Sequence, residues 1–267
     1  MNFWTQRSVD LANQQNYLDQ LFRVYPLSVN ERREIDENKW KKVKNAFENR
    51  KNVDLVQSLC GLEKFPIKDS YVAYLKRDKT AINRNPDTVD RLAGMLYEMG
   101  IPGIYDNCTE PKETNRQIGP LFKNWIDGGY LGVKVYKSAA EFVLNKDNAV
   151  LNISDADMKQ FAKEHFGYER DKGLDFIARF NGTYVIGEAK FLSDFGGHQH
   201  DQFEDAILTI HSNLTGGLCR KARVVKIAIL DGVLYIKSKN KMHKYLKNNP
   251  QDIIISSLLL REFLYSL

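Results

Sequence analysis

The sequence predicts an α/β protein with a mixed central sheet flanked by helices, preceded by an N-terminal helical subdomain. Three observations predict it. Residues 173–190 hold two runs rich in β-branched and aromatic residues on either side of Asn181-Gly182, the strongest short-range signal for a two-residue hairpin. Residues 223–230 and 233–237 are two further runs of that kind, separated by Asp231-Gly232. Before residue 111, by contrast, apolar residues recur at helical spacing. Helices first, then strands interleaved with helices, fit a layered α/β core behind a helical part.

Composition sets the bounds. At 267 residues the chain can bury a substantial core, as one large domain or two small ones. Hydrophobic residues make up 43% and charged residues 27%, ordinary for a soluble globular protein. No apolar run approaches a membrane span, and the opening Met-Asn-Phe-Trp-Thr-Gln-Arg lacks a signal peptide's apolar run. The expected location is therefore the cytoplasm. Cys60, Cys108 and Cys219 lie far apart and read as ordinary reduced thiols, with neither disulfide nor zinc spacing. A net charge of +5 permits nucleic-acid binding without demanding it.

In chain order, Leu11, Leu18, Leu21, Phe22 and Tyr25 mark a helix over 8–25, stopped by Pro26. A charged helix over 28–49 carries Ile35, Trp40, Val43 and Phe47; its Lys39, Lys41, Lys42 and Lys44 could meet phosphate, although a solvated face balanced by Glu31, Glu34, Asp36 and Glu37 is the plainer reading. Helices follow at about 53–60 and from Pro66 or Asp69 to 77. The basic, turn-rich stretch 76–91 contains Lys76, Arg77, Asn83 and Arg84. Arg can fork onto guanine and Asn onto adenine in a major groove, so these four are candidate DNA contacts; a surface loop of scattered charge is the plainer reading. A helix over 87–99 ends at Gly100. The connection 100–113, with Pro102, Gly103 and Pro111, is the expected boundary between residues 1–110 and 111–267.

The second part opens with a helix over 114–126, which should cover one face of the sheet. Glu113 at its start is a candidate third carboxylate, and Arg116 and Lys123 are candidate phosphate contacts. A strand is expected within 131–145 and a Ser-capped helix over 154–166. After the hairpin, a loop with Gly196 and Gly197 leads into a helix at about 200–213. Two glycines let backbone approach a ligand closely, so Ser193, Gly196, Gly197, His198, Gln199 and Gln202 are candidate DNA contacts. His198 and His200 lack the further ligands that zinc would need. A strand over 223–230, a turn at Asp231-Gly232, a strand over 233–237, a basic helix or loop over 239–247, a strand-like run from Ile253 and a helix over 258–264 complete the chain.

The hairpin fixes a register. Phe180 pairs with Thr183, Ala178 with Val185 and Phe176 with Gly187, which sets Asp175 opposite Glu188, with Lys190 on the same face. Opposed cross-strand residues have Cβ atoms about 4.5–5.5 Å apart, and like charges there are destabilising. A divalent cation between the carboxylates would compensate, and an oxygen set with retained waters suits Mg²⁺. Lys190 would then sit beside the metal, placed to polarise or deprotonate a water or to stabilise a developing anion. The plainer reading is a solvated hairpin with its charges in water.

Asp175 followed by Glu188-Ala189-Lys190 at the end of the next apolar strand resembles the signature of the PD-(D/E)xK nuclease superfamily. Residues 191–203 are similar to the segment after that motif in some type II restriction endonucleases, and 111–125 to a helix leading into such cores. Leu174 stands where the signature often has proline. The resemblance implies a restriction-endonuclease-like core in which Asp175, Glu188 and the Ala189 carbonyl bind Mg²⁺ and Lys190 assists hydrolysis of a DNA phosphodiester. It further implies cleavage of double-stranded DNA at a short specific site by a homodimer, with a cognate DNA methyltransferase protecting the host. A structure-specific repair or junction nuclease on the same core, and a DNA-binding regulator that never cuts, are the alternatives.

Overall fold

The structure, a computed structural model, describes residues 1–27, 32–111, 114–237 and 240–267, and only the backbone of 114–116. It divides into two compact units, Met1–Leu27 with Thr114–Leu267, and Ser28–Glu113. Residues 1–27, expected with the helical subdomain, thus belong to the sheet-bearing unit.

Those residues form two helices where one was expected. Helix α1 (Phe3–Ala12) starts where the Asn2 side chain accepts the Trp4 N–H at 2.9 Å. Asn16 at φ 67° separates it from α2 (Tyr17–Val24). Asparagine tolerates the left-handed region better than most residues, so the polar run 13–16 breaks a pattern that apolar spacing alone continues.

The helical unit comprises α3 (Glu37–Glu48), α4 (Asn52–Cys60), α5 (Ser70–Arg77), α6 (Ala81–Arg84) and α7 (Pro86–Thr109). The Asp36 carboxylate accepts the Lys39 N–H at 3.0 Å and so starts α3 later than expected. Gly100, at φ 73°, interrupts α7 where the sequence ends a helix. Residues beyond it, expected as a connection, turn helical again from Ile101 to Thr109. Val43, Leu55, Val56, Leu59, Leu92, Leu96 and Ile104 give this unit its own core.

In the other unit α8 (Thr114–Asp127) leads into a six-stranded sheet of order β1-β2-β3-β4-β5-β6. The strands are β1 (Lys134–Tyr136), β2 (Ala149–Leu151), β3 (Phe176–Phe180), β4 (Thr183–Leu192), β5 (Val224–Gly232) and β6 (Ile253–Ile255). The β2–β3 and β3–β4 pairs are antiparallel and the other three parallel, so the sheet is mixed. The intervening helices are α9 (Ala139–Leu144), α10 (Asp155–Phe161), α11 (Gly197–Ile210), α12 (Gly217–Lys221) and α13 (Lys241–Asn248), and α14 (Leu260–Tyr265) ends the chain. Strand alternation sends Phe176, Ala178, Val185 and Ala189 into a core with Ile118, Phe122 and Ile126 of α8. Ile177, Tyr184 and Ile186 pack on the other side with Phe142 of α9 and Met158 and Phe161 of α10. Glu188 and Lys190 continue that second face.

The expected turn at Asp231-Gly232 is a correction. Strand β5 runs through it, and Val233–Tyr235 is a single 3₁₀ turn in place of a strand. Gly232 has φ 101°, and a Cβ there would stand 2.1 Å from the Leu192 carbonyl oxygen. Asp231 is fully buried and accepts hydrogen bonds from the Tyr25 hydroxyl at 2.9 Å, the Ser256 hydroxyl at 2.5 Å and the Ser257 N–H at 3.2 Å. Tertiary hydrogen bonding overrides the local turn signal. Gly232→Ala is expected to cost at least about 1–3 kcal/mol from backbone strain alone, read as a lowered midpoint in denaturant unfolding; an unchanged midpoint would refute the close approach. Among the described residues no helix is long and apolar enough to cross a membrane.

Candidate active site

The hairpin register matches the sequence reading: Phe176 pairs with Gly187, Ala178 with Val185 and Phe180 with Thr183. Asn181 and Gly182 have φ of 48° and 77°, the positive values that a type I′ turn requires at both central positions. Asp175 lies one step outside the ladder and is tied to it twice. Its N–H donates to the Gly187 carbonyl at 3.1 Å, and its Oδ2 accepts the Ala189 N–H at 2.9 Å.

Lys190 closes the group. Its Nζ lies 2.6 Å from Asp175 Oδ2, 3.0 Å from Glu188 Oε1 and 3.0 Å from the Ala189 carbonyl oxygen. These are the three oxygens that the family resemblance implies for a metal, and in this structure they converge on an ammonium. The opposed acids therefore do not depend on a metal alone for compensation, as the sequence reading supposed.

A second lysine shares the load. Lys172 Nζ lies 2.6 Å from Glu188 Oε1 and 2.6 Å from Asp205 Oδ2. The other Glu188 oxygen, Oε2, accepts the Thr209 hydroxyl at 2.9 Å. Arg170 donates to Thr209 Oγ1 at 2.7 Å and to the Asp205 carbonyl at 2.9 Å. Three carboxylates, Asp175, Glu188 and Asp205, thus meet three cations, Lys172, Lys190 and Arg170. The sequence reading missed Arg170, Lys172, Asp205 and Thr209. The signal that marks one of them is a polar residue among the buried positions of α11: Thr209 interrupts Phe203, Ala206, Ile207 and Ile210, with Asp205 half-buried one turn before it.

Burial pushes the Glu188 carboxyl up, but the Lys190 and Lys172 charges outweigh it and hold it below the usual carboxylate range. Burial pushes the Lys190 ammonium down, and the charges of Asp175 and Glu188 more than restore it, so it stays above the usual lysine range. In this arrangement Lys190 is a cation at neutral pH and has no free pair to take a proton. Asp205 is held low, first by its hydrogen bond from Lys172.

The linkage has a definite sign. A depressed carboxyl stabilises the fold above its ordinary value and loses that contribution as pH falls through its folded value. Lys172→Met removes one of the two cations from Glu188, so the acid limb of the cleavage pH profile should move to higher pH and activity should fall about tenfold or more. An unmoved limb would show that Lys172 does not hold Glu188.

The donor set fits a hard divalent cation. Glu188 Oε1 is fully buried and receives no well-directed hydrogen bond, although two ammonium nitrogens lie near it. Two carboxylates and a carbonyl are the oxygen ligands such ions take. Among the described residues no group of three His, Cys, Asp or Glu gathers for a metal. The possible third carboxylate, Glu113, lies outside the described residues. Asp175 also borders a cleft of about 640 Å³ walled by Gly119, Lys123 and Asn124 of α8 and by Asn152 and Ser154.

The remaining candidates divide. His198 and Gln202 share a side of α11 with Asp205 and Thr209, by their spacing of four, three and four residues. Ser193 and Gly196 are exposed ahead of that helix, and Gly197 is exposed at its first position. Gln199 is buried and its Oε1 accepts the Ser193 N–H at 3.2 Å, so it shapes the loop. Lys123 is engaged by the Ile153 carbonyl and Asp155; the side chain of Arg116 lies outside the described residues. In the helical unit Arg77 and Asn83 are exposed, Arg84 pairs with Asp78 at 2.6 Å, and Lys76 donates to the carbonyls of Leu62 and Glu63.

A mixed six-stranded sheet flanked by helices, with Asp…Glu-x-Lys at the end of its hairpin, is consistent with a restriction-endonuclease-like fold. The family described as Tsp45I type II restriction enzyme has a model that matches residues 2–267, and the chain belongs to that family. No curated protein and no solved structure matches the chain.

Proposed function

We propose that this type II restriction enzyme hydrolyses phosphodiesters of double-stranded DNA at a short specific site, with Mg²⁺ held by Asp175, Glu188 and the Ala189 carbonyl. The observation that supports this reading most is the convergence of those three oxygens on one point, 2.6–3.0 Å from each. Bound there, Mg²⁺ would polarise the scissile phosphate and lower the pKa of the attacking water.

The chain's own residues carry the rest. Lys190 gives up its three oxygens and, still protonated, donates to the attacking water or to the phosphate oxygens as negative charge builds. Lys172 and Thr209 keep the Glu188 carboxylate in place, and Asp205 with Arg170 keeps Lys172 in place. Ser193, Gly196, Gly197, His198 and Gln202 supply DNA contacts beside the carboxylates, while Arg77, Asn83 and Arg84 offer base contacts from the helical unit. A homodimer about a two-fold axis would cut both strands of a palindrome-like site. A cognate methyltransferase would spare the host's own DNA, and the site of action would be the cytoplasm.

Incubation of the purified protein with plasmid in Mg²⁺, against EDTA, tests this reading. Discrete fragments in Mg²⁺ alone are expected. Smearing, or cutting of branched DNA only, would assign a repair or junction nuclease, and binding without any cutting would assign a regulator.

A further inference from the structure

We propose that a groove between α3 and α4 of the helical unit is a docking surface for the phosphate backbone of duplex DNA. It rests on the reading that duplex DNA is the substrate. Lys39, Lys42 and Asn45 follow one another at three-residue spacing along α3, and Asp54, Gln57 and Ser58 line the facing side of α4. Lys41 and, from the turn after α5, Lys79 complete a concavity of about 650 Å³. Four lysines line it against a single aspartate, a net of three positive charges.

Two features set this groove apart from ordinary surface charge. The first is pairing. Elsewhere in the same unit Arg32, Arg33, Lys64, Arg84 and Arg91 each hold an acid, at Asp106, Glu63, Glu110, Asp78 and Asp69, and the cations that hold none among the described residues, such as Lys44, Arg50, Lys51, Lys68 and Arg77, do not line this concavity. Lys39, Lys41, Lys42 and Lys79 are exposed, and among the described residues their ammonium groups hold none. A concave cluster of four like charges against one acid attracts a polyanion. The second is the lining. It has amide and hydroxyl donors in Asn45, Gln57 and Ser58 and no aromatic ring. Amides, hydroxyls and lysines are the groups that grip phosphate and sugar, whereas single strands are held by stacking on aromatics. The geometry therefore favours the backbone of a duplex over unpaired bases. Lys79 also lies two residues beyond Arg77, the last residue of α5, so backbone grip and base contact would come from neighbouring residues.

The test uses the full chain and a linear plasmid fragment that the wild type cuts, bound in Ca²⁺ in place of Mg²⁺. The triple variant Lys39→Gln, Lys42→Gln, Lys79→Gln is compared with a control variant, Arg32→Gln, Arg91→Gln, which removes paired cations. Each phosphate contact contributes about 0.9 to the slope of log affinity against log salt. The groove variant should show a slope shallower by about 2–3 and affinity at least about tenfold lower at moderate salt. Its unfolding midpoint and its single-turnover cleavage rate once bound should match the wild type. An unchanged slope, or an equal loss in the control, would overturn the groove while leaving the nuclease reading intact. A wild type that binds no duplex even at low salt would overturn both.

Discussion

Lys190→Ala is expected to lower single-turnover cleavage of plasmid in Mg²⁺ by about two to four orders of magnitude, the range for losing a group that assists proton or charge transfer at a reacting centre. Asp175→Ala should do at least as much, because it removes both a proposed metal ligand and the carboxylate that accepts the Ala189 N–H. Both variants should still fold cooperatively, with a lowered unfolding midpoint, because each breaks the Lys190–Asp175 pair beside the buried Glu188. The hairpin register is set by backbone pairing and by the turn at Asn181-Gly182, and neither substitution touches those. Binding of site-bearing DNA in Ca²⁺ should survive in Lys190→Ala. Activity within tenfold of wild type in either variant would remove these residues from the chemistry.

The second large effect concerns stability. Asp231→Ala leaves the Tyr25 hydroxyl, the Ser256 hydroxyl and the Ser257 N–H without their acceptor in a fully buried position. Each orphaned donor costs about 1–3 kcal/mol, so a loss of roughly 3–5 kcal/mol is expected in denaturant unfolding. A loss under about 1 kcal/mol would mean that the network contributes little. Burial pushes the Asp231 carboxyl above its ordinary range, partly offset by the hydrogen bonds from Ser256, Ser257 and Tyr25. An acid whose folded value is raised stabilises most below its ordinary value and loses that contribution as pH rises through the folded one. Asp231→Asn should therefore flatten the dependence of stability on pH across that window.

The part of the site built by local geometry was legible in the sequence. An Asn-Gly turn admits one two-residue hairpin, and strand alternation then places Asp175, Glu188 and Lys190 without further information. The part built by packing was not. Lys172 lies on irregular backbone before β3, and nothing in its neighbourhood announces that it will bridge Glu188 and an acid on α11. Thr209 was visible only as a polar gap in an apolar helix face, and Asp205 as an ordinary half-buried acid beside it. The same division explains the errors of fold. Asp231-Gly232 has turn chemistry, yet Tyr25 and Ser256, far away along the chain, claim the carboxylate and keep the strand going. Residues 1–27 follow the same helical spacing as the next eighty, and their attachment to the sheet is made by pairings such as the Ser256 N–H to Ser8 Oγ, at 2.9 Å. Such partners are separated by most of the chain, where periodicity carries no signal.

The account stands on Asp175, Glu188 and the Ala189 carbonyl being one cation-binding set that Lys190 fills until a metal replaces it. Diffraction from Mn²⁺-soaked crystals, with the metal located by its anomalous signal, reads this directly. The account predicts a peak bonded to all three oxygens, with the Lys190 ammonium withdrawn from Asp175 Oδ2. A lysine still seated among those oxygens, with manganese bound elsewhere or not at all, would contradict it.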